Sequence, residues 1–429
     1  MKRTTNLLIA VAATTAITAA ACSSNNTDAN TSGQGSSVSV DNPGTDRPLL
    51  DPVNNSTLVL PDGWFEMAGY GTVLHVSGDE ITPHFVTSST CVVGDRFDNH
   101  LPVDHASDDG VITLDLVGPT TDYRLVPMAG SLSCKTAADE TVTALDELFT
   151  THYPFFDQRG LDWTEAVTDI RSAFEIDTDS FDQSLTSVLV ELGDGHTTLD
   201  DLDIDPDIDA FGLTDVTTLD ELEAAIGEEF DRTIARIDDA TTDETGSVAW
   251  GRLDADTGYL IMVAFEGISG QDDAAADRDA LAAALDAATA VLAAGYFVED
   301  TTPAYRKWAH AQPDPFVQTI DVEPQSVFFD GEVTVLTSPI TASAAEAFTL
   351  AMAEVADATI VGNPSFGEFS DAIDWTLPDG TELTISMENY TDLDGTNHEA
   401  IGIPVDVTVP FDQAIDAAID HQRSGTPNS

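Results

Sequence analysis

The residues best suited to chemistry lie in one stretch, "VLTSPITASAAEAF", from Val335 to Phe348. A short β-type run, "VTVL", starts at Val333 and gives way to the small-residue turn "TSPITAS". The following "AAEAFTLAMAEVA" carries apolar residues at helical spacing. A strand, a sharp turn and a helix lift a side chain out of the core and set it beside the free N–H groups of a helix N-terminus, where an oxyanion can be received. Ser343 is the serine placed for that work. The same residues also read as a plain helix start, with Thr341 or Ser343 as N-cap and Glu346 closing a capping box. A serine is a weak nucleophile without a base beside it, and one histidine, His196, stands in a glycine-bracketed turn, "LGDGHTTLDD". Taken alone it also reads as a turn histidine with a structural hydrogen bond. His75, His84, His100 and His105 are scattered without ligand-like spacing, so no metal site is expected.

The elements that must position these residues follow a readable order. Residues 1–21 have a basic start, an apolar "NLLIAVAATTAITAA" and small residues before Cys22, the pattern of a lipoprotein signal peptide. Cys22 would carry the lipid; an ordinary secretory cleavage nearby is the alternative. The apolar run is too short and too Thr/Ala-rich for a transmembrane helix. The expectation is an exported, lipid-anchored protein of the cell envelope or periplasm that touches the membrane only through its anchor. Residues 22–55 are polar and Gly/Pro-containing, a flexible tether. Residues 56–136 show short alternating runs broken by "PDG", "SGDE" and "SST", a small antiparallel β domain.

Residues 137–200 switch to helical spacing in "TVTALDELFTTHY", "DWTEAVTDIRSAF" and "SFDQSLTSVLVEL", a helical lead-in that ends on His196. Residues 201–245 are an acidic insertion with one exposed helix expected around Leu219–Ile234. Residues 246–425 alternate strands with helices, among them an Ala-rich helix in "DDAAADRDALAAALDAATAVLAA", and predict an α/β sandwich core. Cys91 and Cys134, left after Cys22, allow a single disulfide in an exported chain; two buried thiols are the alternative.

Acidic residues number 77 against 15 basic ones in 429. Such a surface repels nucleic acid and suits a salty medium in which screening shortens self-repulsion to a few ångströms.

The segment "LTSPITASAAEAFTLAMAEVADATIVGNPSFGEF…NHEAIGIPVDVTVP" resembles the catalytic core of the C-terminal processing (tail-specific) protease family, which includes tricorn protease. The likeness is dense from Val335 to Pro410 and looser around Leu192–Leu199. It implies a ClpP/crotonase-like core with Ser343 as nucleophile and the N–H of Ala344 as oxyanion donor. Many members place a lysine base in an "FGKG" stretch; here "SFGEF" puts Glu368 at that position, which rules out a Ser/Lys dyad. The tricorn-like branch uses a histidine backed by a glutamate, and on that pattern His196 is the base and Glu399 the orienting carboxylate, with His398 as a competitor. Thr197 or Asp194 would take the place of the serine that adjoins tricorn's histidine.

Two features depart from the family: no PDZ-like segment is evident, and no "GNGGG"-like strand and loop follow "AVLAAG", with Gly267 and Gly270, one strand earlier, as the substitutes on offer. The resemblance implies a cofactor-free serine peptidase acting on peptides or unfolded proteins. A binding module on the same scaffold, or an internally deleted version of an active enzyme, are the competing readings.

Overall fold

The computed structural model describes residues 6–11, 38–39, 56–108, 110–116, 121–134, 137–199, 208–211, 213, 216–242, 248–253, 257–262, 294–312, 315–324 and 328–424. The Ala-rich stretch up to residue 293, Gly267, Gly270 and Cys22 lie outside these residues. The chain folds as expected, an α/β core preceded by a β domain.

The core is built on a seven-stranded sheet in the order Asp238–Thr242, Val248–Arg252, Thr257–Met262, Asn6–Val11, Val333–Thr337, Thr359–Gly362, Val407–Thr408. The last five run parallel. Parallel strands are covered on both faces and so read as continuous apolar runs. "VTVLT" obeys this with all five residues buried. Its Val333 and Val335 face Leu350 and Met352 of one helix, while Leu336 faces Ile415, Ala418 and Ile419 of another.

Asn6–Val11 fills the centre of this sheet. Leu7 pairs with Gly258 on one side and Val333 on the other. Its N–H donates to the Glu332 carbonyl at 2.9 Å, and its side chain is buried. These residues fall inside the stretch that the sequence assigns to a leader. The two descriptions share one composition, because a short apolar run is also what a strand buried on both faces requires.

Seven helices are described: α1 (Thr141–His152), α2 (Phe156–Arg159), α3 (Trp163–Phe174), α4 (Thr178–Leu192), α5 (Leu219–Ile234), α6 (Ala344–Val355) and α7 (Ala414–Ser424). Asp162 and Asp177 cap α3 and α4 by accepting backbone N–H groups of the first turn. Leu145, Phe149, Ile170, Phe181 and Leu189 of α1, α3 and α4 pack between the β domain (Leu74, Ile81, Leu125) and Trp375, Leu383 and Ile385 of a core hairpin. The lead-in is thus a layer joining the two. In α5, Leu222 and Thr233 are buried, so this helix is packed on one face rather than exposed.

The β domain forms a ten-stranded sheet among the described residues, antiparallel apart from the Val38–Ser39 edge. A Cys91–Cys134 disulfide closes it. Of the described helices, none is long and apolar enough to cross a membrane.

Candidate active site

The strand Val333–Thr337 delivers the chain into a closed turn. Ser338 N–H donates to Thr341 Oγ1 at 3.1 Å, and Thr341 N–H returns to the Ser338 carbonyl at 2.8 Å. The Thr341 hydroxyl thus closes the turn behind it. Ser343 then sits at φ 56°, ψ −122°, a left-handed conformation that strains a residue with a side chain. Such strain persists only where surrounding contacts hold it, and here the Ser343 N–H reaches both the Glu368 carbonyl at 3.0 Å and Glu346 Oε2 at 3.1 Å. Helix α6 starts at the next residue. The Ala344 N–H makes no hydrogen bond among the described residues, and Ala344 is exposed. A free donor at the positive end of a helix, beside a strained half-buried serine, is suited to receiving an oxyanion.

His196 stands on a second turn, and among the described residues no hydrogen bond joins its ring to the Ser343 hydroxyl. Helix α4 ends at Gly193, whose φ of 64° reverses the chain into the turn Asp194–Gly195–His196. Asp194 Oδ1 accepts the His196 N–H at 3.0 Å. Thr198 and Thr384 exchange backbone hydrogen bonds of 3.2 and 2.9 Å, which fixes the turn to the hairpin Ala372–Thr376/Glu382–Ser386. His196 Nδ1 lies 2.8 Å from the Ser370 carbonyl. A carbonyl only accepts, so Nδ1 carries the proton and Nε2 is left as the basic nitrogen.

Glu399 reaches His196 through an intermediary. Its Oε2 accepts from Phe369 N–H at 2.9 Å and Ser370 N–H at 3.3 Å, and its Oε1 takes Arg159 Nη2 at 2.7 Å. Among the described contacts no hydrogen bond joins Glu399 to His196; the Ser370 carbonyl occupies that role, and Glu399 holds Ser370. Thr197 is buried and turned towards Asp194 (3.0 Å) and the Ser386 N–H (3.0 Å), not towards Glu399. Asp194 also takes the Tyr153 hydroxyl at 2.9 Å. His398, the competing base, has Nε2 3.1 Å from Asp392 Oδ2 and is buried beside Phe369.

Arg159 is a site residue that motif and spacing do not mark. Its side chain is 6% exposed, and its guanidinium spans the Gly193 carbonyl, the Gly367 carbonyl (3.1 Å), Glu399 and, at 3.9 Å, Asp194. One signal was available: it is among only 15 basic residues, set in the lead-in "YPFFDQRGLDW". A second buried cation, Lys307, lies 2.5 Å from Asp371 and 2.9 Å from Glu388, with Tyr390 OH at 2.6 Å. Thr121 and Tyr70 of the β domain bond the same carboxylates, which ties that domain to Asp371, the residue after Ser370, and to Glu388.

The electrostatics follow from burial opposed by charge. Burial alone would lower His196, but Glu368, then Asp194, Glu399 and Asp371, hold it above its ordinary value. Burial would raise Asp194, yet Arg159 and His196 hold it low. Burial, helped by Asp194 and opposed by Arg159, pushes Glu399 up to about 7. Burial pushes Glu346 up to about 8 in spite of the Gly367 and Glu368 N–H groups it accepts.

A stability trend with pH follows. A carboxyl or imidazole raised in the folded state stabilises fully below its unfolded value and loses that contribution as pH climbs through the folded value. For Glu399 and Glu346 the window runs from an ordinary 4.5 to about 7 and about 8, and His196 acts in the same direction. The depressed Asp194 and Asp371 matter only near and below their ordinary 3.8, and His152, lowered by burial to about 4, opposes the trend only up to its ordinary 6.5. The urea midpoint is therefore expected to fall from pH 5 to pH 8.5; a midpoint that rises over that range would contradict these assignments.

Residues 280–409 match the family model described as Peptidase family S41, a span that holds Ser343, Glu368 and Glu399 but not His196. This match supports a peptidase. No curated protein matches the sequence. Among solved structures, the chain is similar to a candidate peptidase from Parabacteroides merdae, with 18% identity, 67% of this chain and 97% of that one covered, and a TM-score of 0.47. It is also similar to a lipoprotein from Streptococcus agalactiae (11% identity, 70% and 100% covered, TM-score 0.42). A third is the photosystem II D1 C-terminal processing protease (12% identity, 64% and 94% covered, TM-score 0.37).

Proposed function

We propose that this chain, matched over residues 280–409 by peptidase family S41, is a serine peptidase. It would hydrolyse peptide bonds in peptides or unfolded polypeptides through an acyl-enzyme. The observation that carries the reading is Ser343, held at φ 56° beside the unpaired Ala344 N–H at the start of α6. In this reading His196 Nε2 takes the Ser343 Oγ proton as oxygen attacks the carbonyl carbon, while the Ser370 carbonyl holds Nδ1–H. The carbonyl oxygen gathers charge against the Ala344 N–H. The imidazolium then returns its proton to the leaving amine, and a water repeats the sequence on the ester.

Arg159 and Glu399 act one layer out, fixing the Gly367–Ser370 backbone against both loops. Hydrolysis of casein or a short peptide is expected from the parent protein, in high salt or low, and Ser343→Ala is expected to lower kcat/KM by about 10⁴ or more. One observation favours a binding protein instead: Ala344 is the single oxyanion donor assigned among the described residues, and one missing donor costs about 10²–10³ in rate. Two folded proteins that both leave casein and peptide intact would favour that second reading.

A further inference from the structure

We infer that Glu368 is a positioning residue that clasps the serine turn to the histidine turn and supplies the negative charge facing His196. The inference rests on Ser343 and His196 being the reacting pair.

Glu368 meets both halves of that pair. Its carbonyl accepts the Ser343 N–H at 3.0 Å. Its Oε1 accepts the N–H of Gly195, the residue before His196. Its own N–H is fixed by Glu346 Oε2 at 2.8 Å, and the same Glu346 oxygen takes the Ser343 N–H. The main chain of one residue therefore holds the serine while its side chain holds the base. Gly195 is part of this fit: a Cβ there would stand 2.7 Å from Glu368 Oε1 and 2.9 Å from Oε2, closer than such atoms approach. The carboxylate occupies the space a side chain would need.

The charge argument is independent of the clasp. Four acids act on His196: Asp194 on its own turn, Glu399 from the loop before Gly402, and Glu368 and Asp371 from the segment that precedes the strand Ala372–Thr376. Two of these, Asp194 and Glu399, share Arg159, and Asp371 is paired with Lys307. Glu368 enters no ion pair with Lys or Arg among the described residues, and it is buried. Burial raises the Glu368 carboxyl, and His196, ahead of Arg159, draws it back towards its charged form, so carboxylate and imidazolium favour each other's ionisation. As His196 takes the Ser343 proton, an imidazolium forms opposite a carboxylate in a water-poor site, where such attraction is strong. A lysine at this position would face the imidazole with like charge. That explains on physical grounds why a site with a histidine base has an acid here.

The experiment is a histidine NMR titration of the full chain, with the His196 signal assigned by its loss in His196→Gln. Glu368→Gln keeps the shape and an acceptor for Gly195 but removes the charge. Its His196 midpoint is expected about one unit or more lower than in the parent. The acid limb of kcat should move the same way, kcat should fall about tenfold or more, and KM should change little. Gly195→Ala, which pushes the carboxylate aside without touching Glu368, is expected to lower the same midpoint and serves if Glu368→Gln does not fold. An unchanged His196 midpoint in both variants overturns the inference, whether or not the protein hydrolyses peptides. A lowered midpoint in a protein that hydrolyses nothing upholds the charge pairing and counts only against the peptidase reading.

Discussion

A chain shortened to begin at Cys22 is expected to lose the cooperative unfolding of its core, with thermal unfolding brought down by more than about 10 °C. The strand removed, Asn6–Val11, is bonded on both sides, to Thr257–Met262 and to Val333–Thr337, in one continuous parallel register. Its loss leaves two open strand edges in the middle of the sheet. It also removes the buried Leu7, a side chain whose burial is worth about 1.5–3 kcal/mol. Set against a total stability of about 5–15 kcal/mol, the combined loss is large. It falls on the strand that leads into Ser343, so hydrolysis should disappear with the fold. Circular dichroism melts of the two chains check this. A shortened chain that melts like the full one would show that Asn6–Val11 is dispensable to the fold, and the leader description would then stand for these residues.

Arg159→Ala is expected to destabilise the protein by about 3–5 kcal/mol, because removing one partner of a buried ionic cluster leaves the others uncompensated. Asp194 and Glu399 are both buried and lie within the reach of this one guanidinium, and the Gly193 carbonyl would lose this donor too, while that of Gly367 keeps the Ala400 N–H. Lysine is not expected to rescue, since one ammonium cannot present donors to four acceptors in the plane of a guanidinium fork. The defect should deepen as pH rises through about 7, where Glu399 takes on its charge. Urea unfolding at pH 6 and pH 8 measures both effects. A variant within about 1 kcal/mol of the parent at both values would remove Arg159 from the account.

Much of the scaffold was readable because it is local. The apolar spacing of α1, α3 and α4 and the Asp caps before α3 and α4 lie within single elements. So does the strand–turn–helix around Ser343, and the Cys91–Cys134 pairing was the one available to two cysteines. What escaped depends on partners far along the chain. Arg159 meets Gly193, Gly367 and Glu399 across 34, 208 and 240 residues, and a single arginine has no periodicity to reveal that. The central strand escaped because "NLLIAV" satisfies the requirements of a leader and of a doubly covered strand alike. The resemblance placed Glu399 beside His196, whereas the structure turns that carboxylate to Arg159 and gives Nδ1 to the Ser370 carbonyl. Sequence order names the residues at such a site, but the rotamer that a buried cation selects is set only on folding.

The most direct test of the central claim is covalent labelling of the full chain with a fluorophosphonate, read by intact mass and peptide mapping. A nucleophilic Ser343 predicts one adduct, on Ser343, absent from Ser343→Ala and formed far more slowly in His196→Ala. A folded protein that takes up no label, or takes it up on another residue, would contradict the serine mechanism.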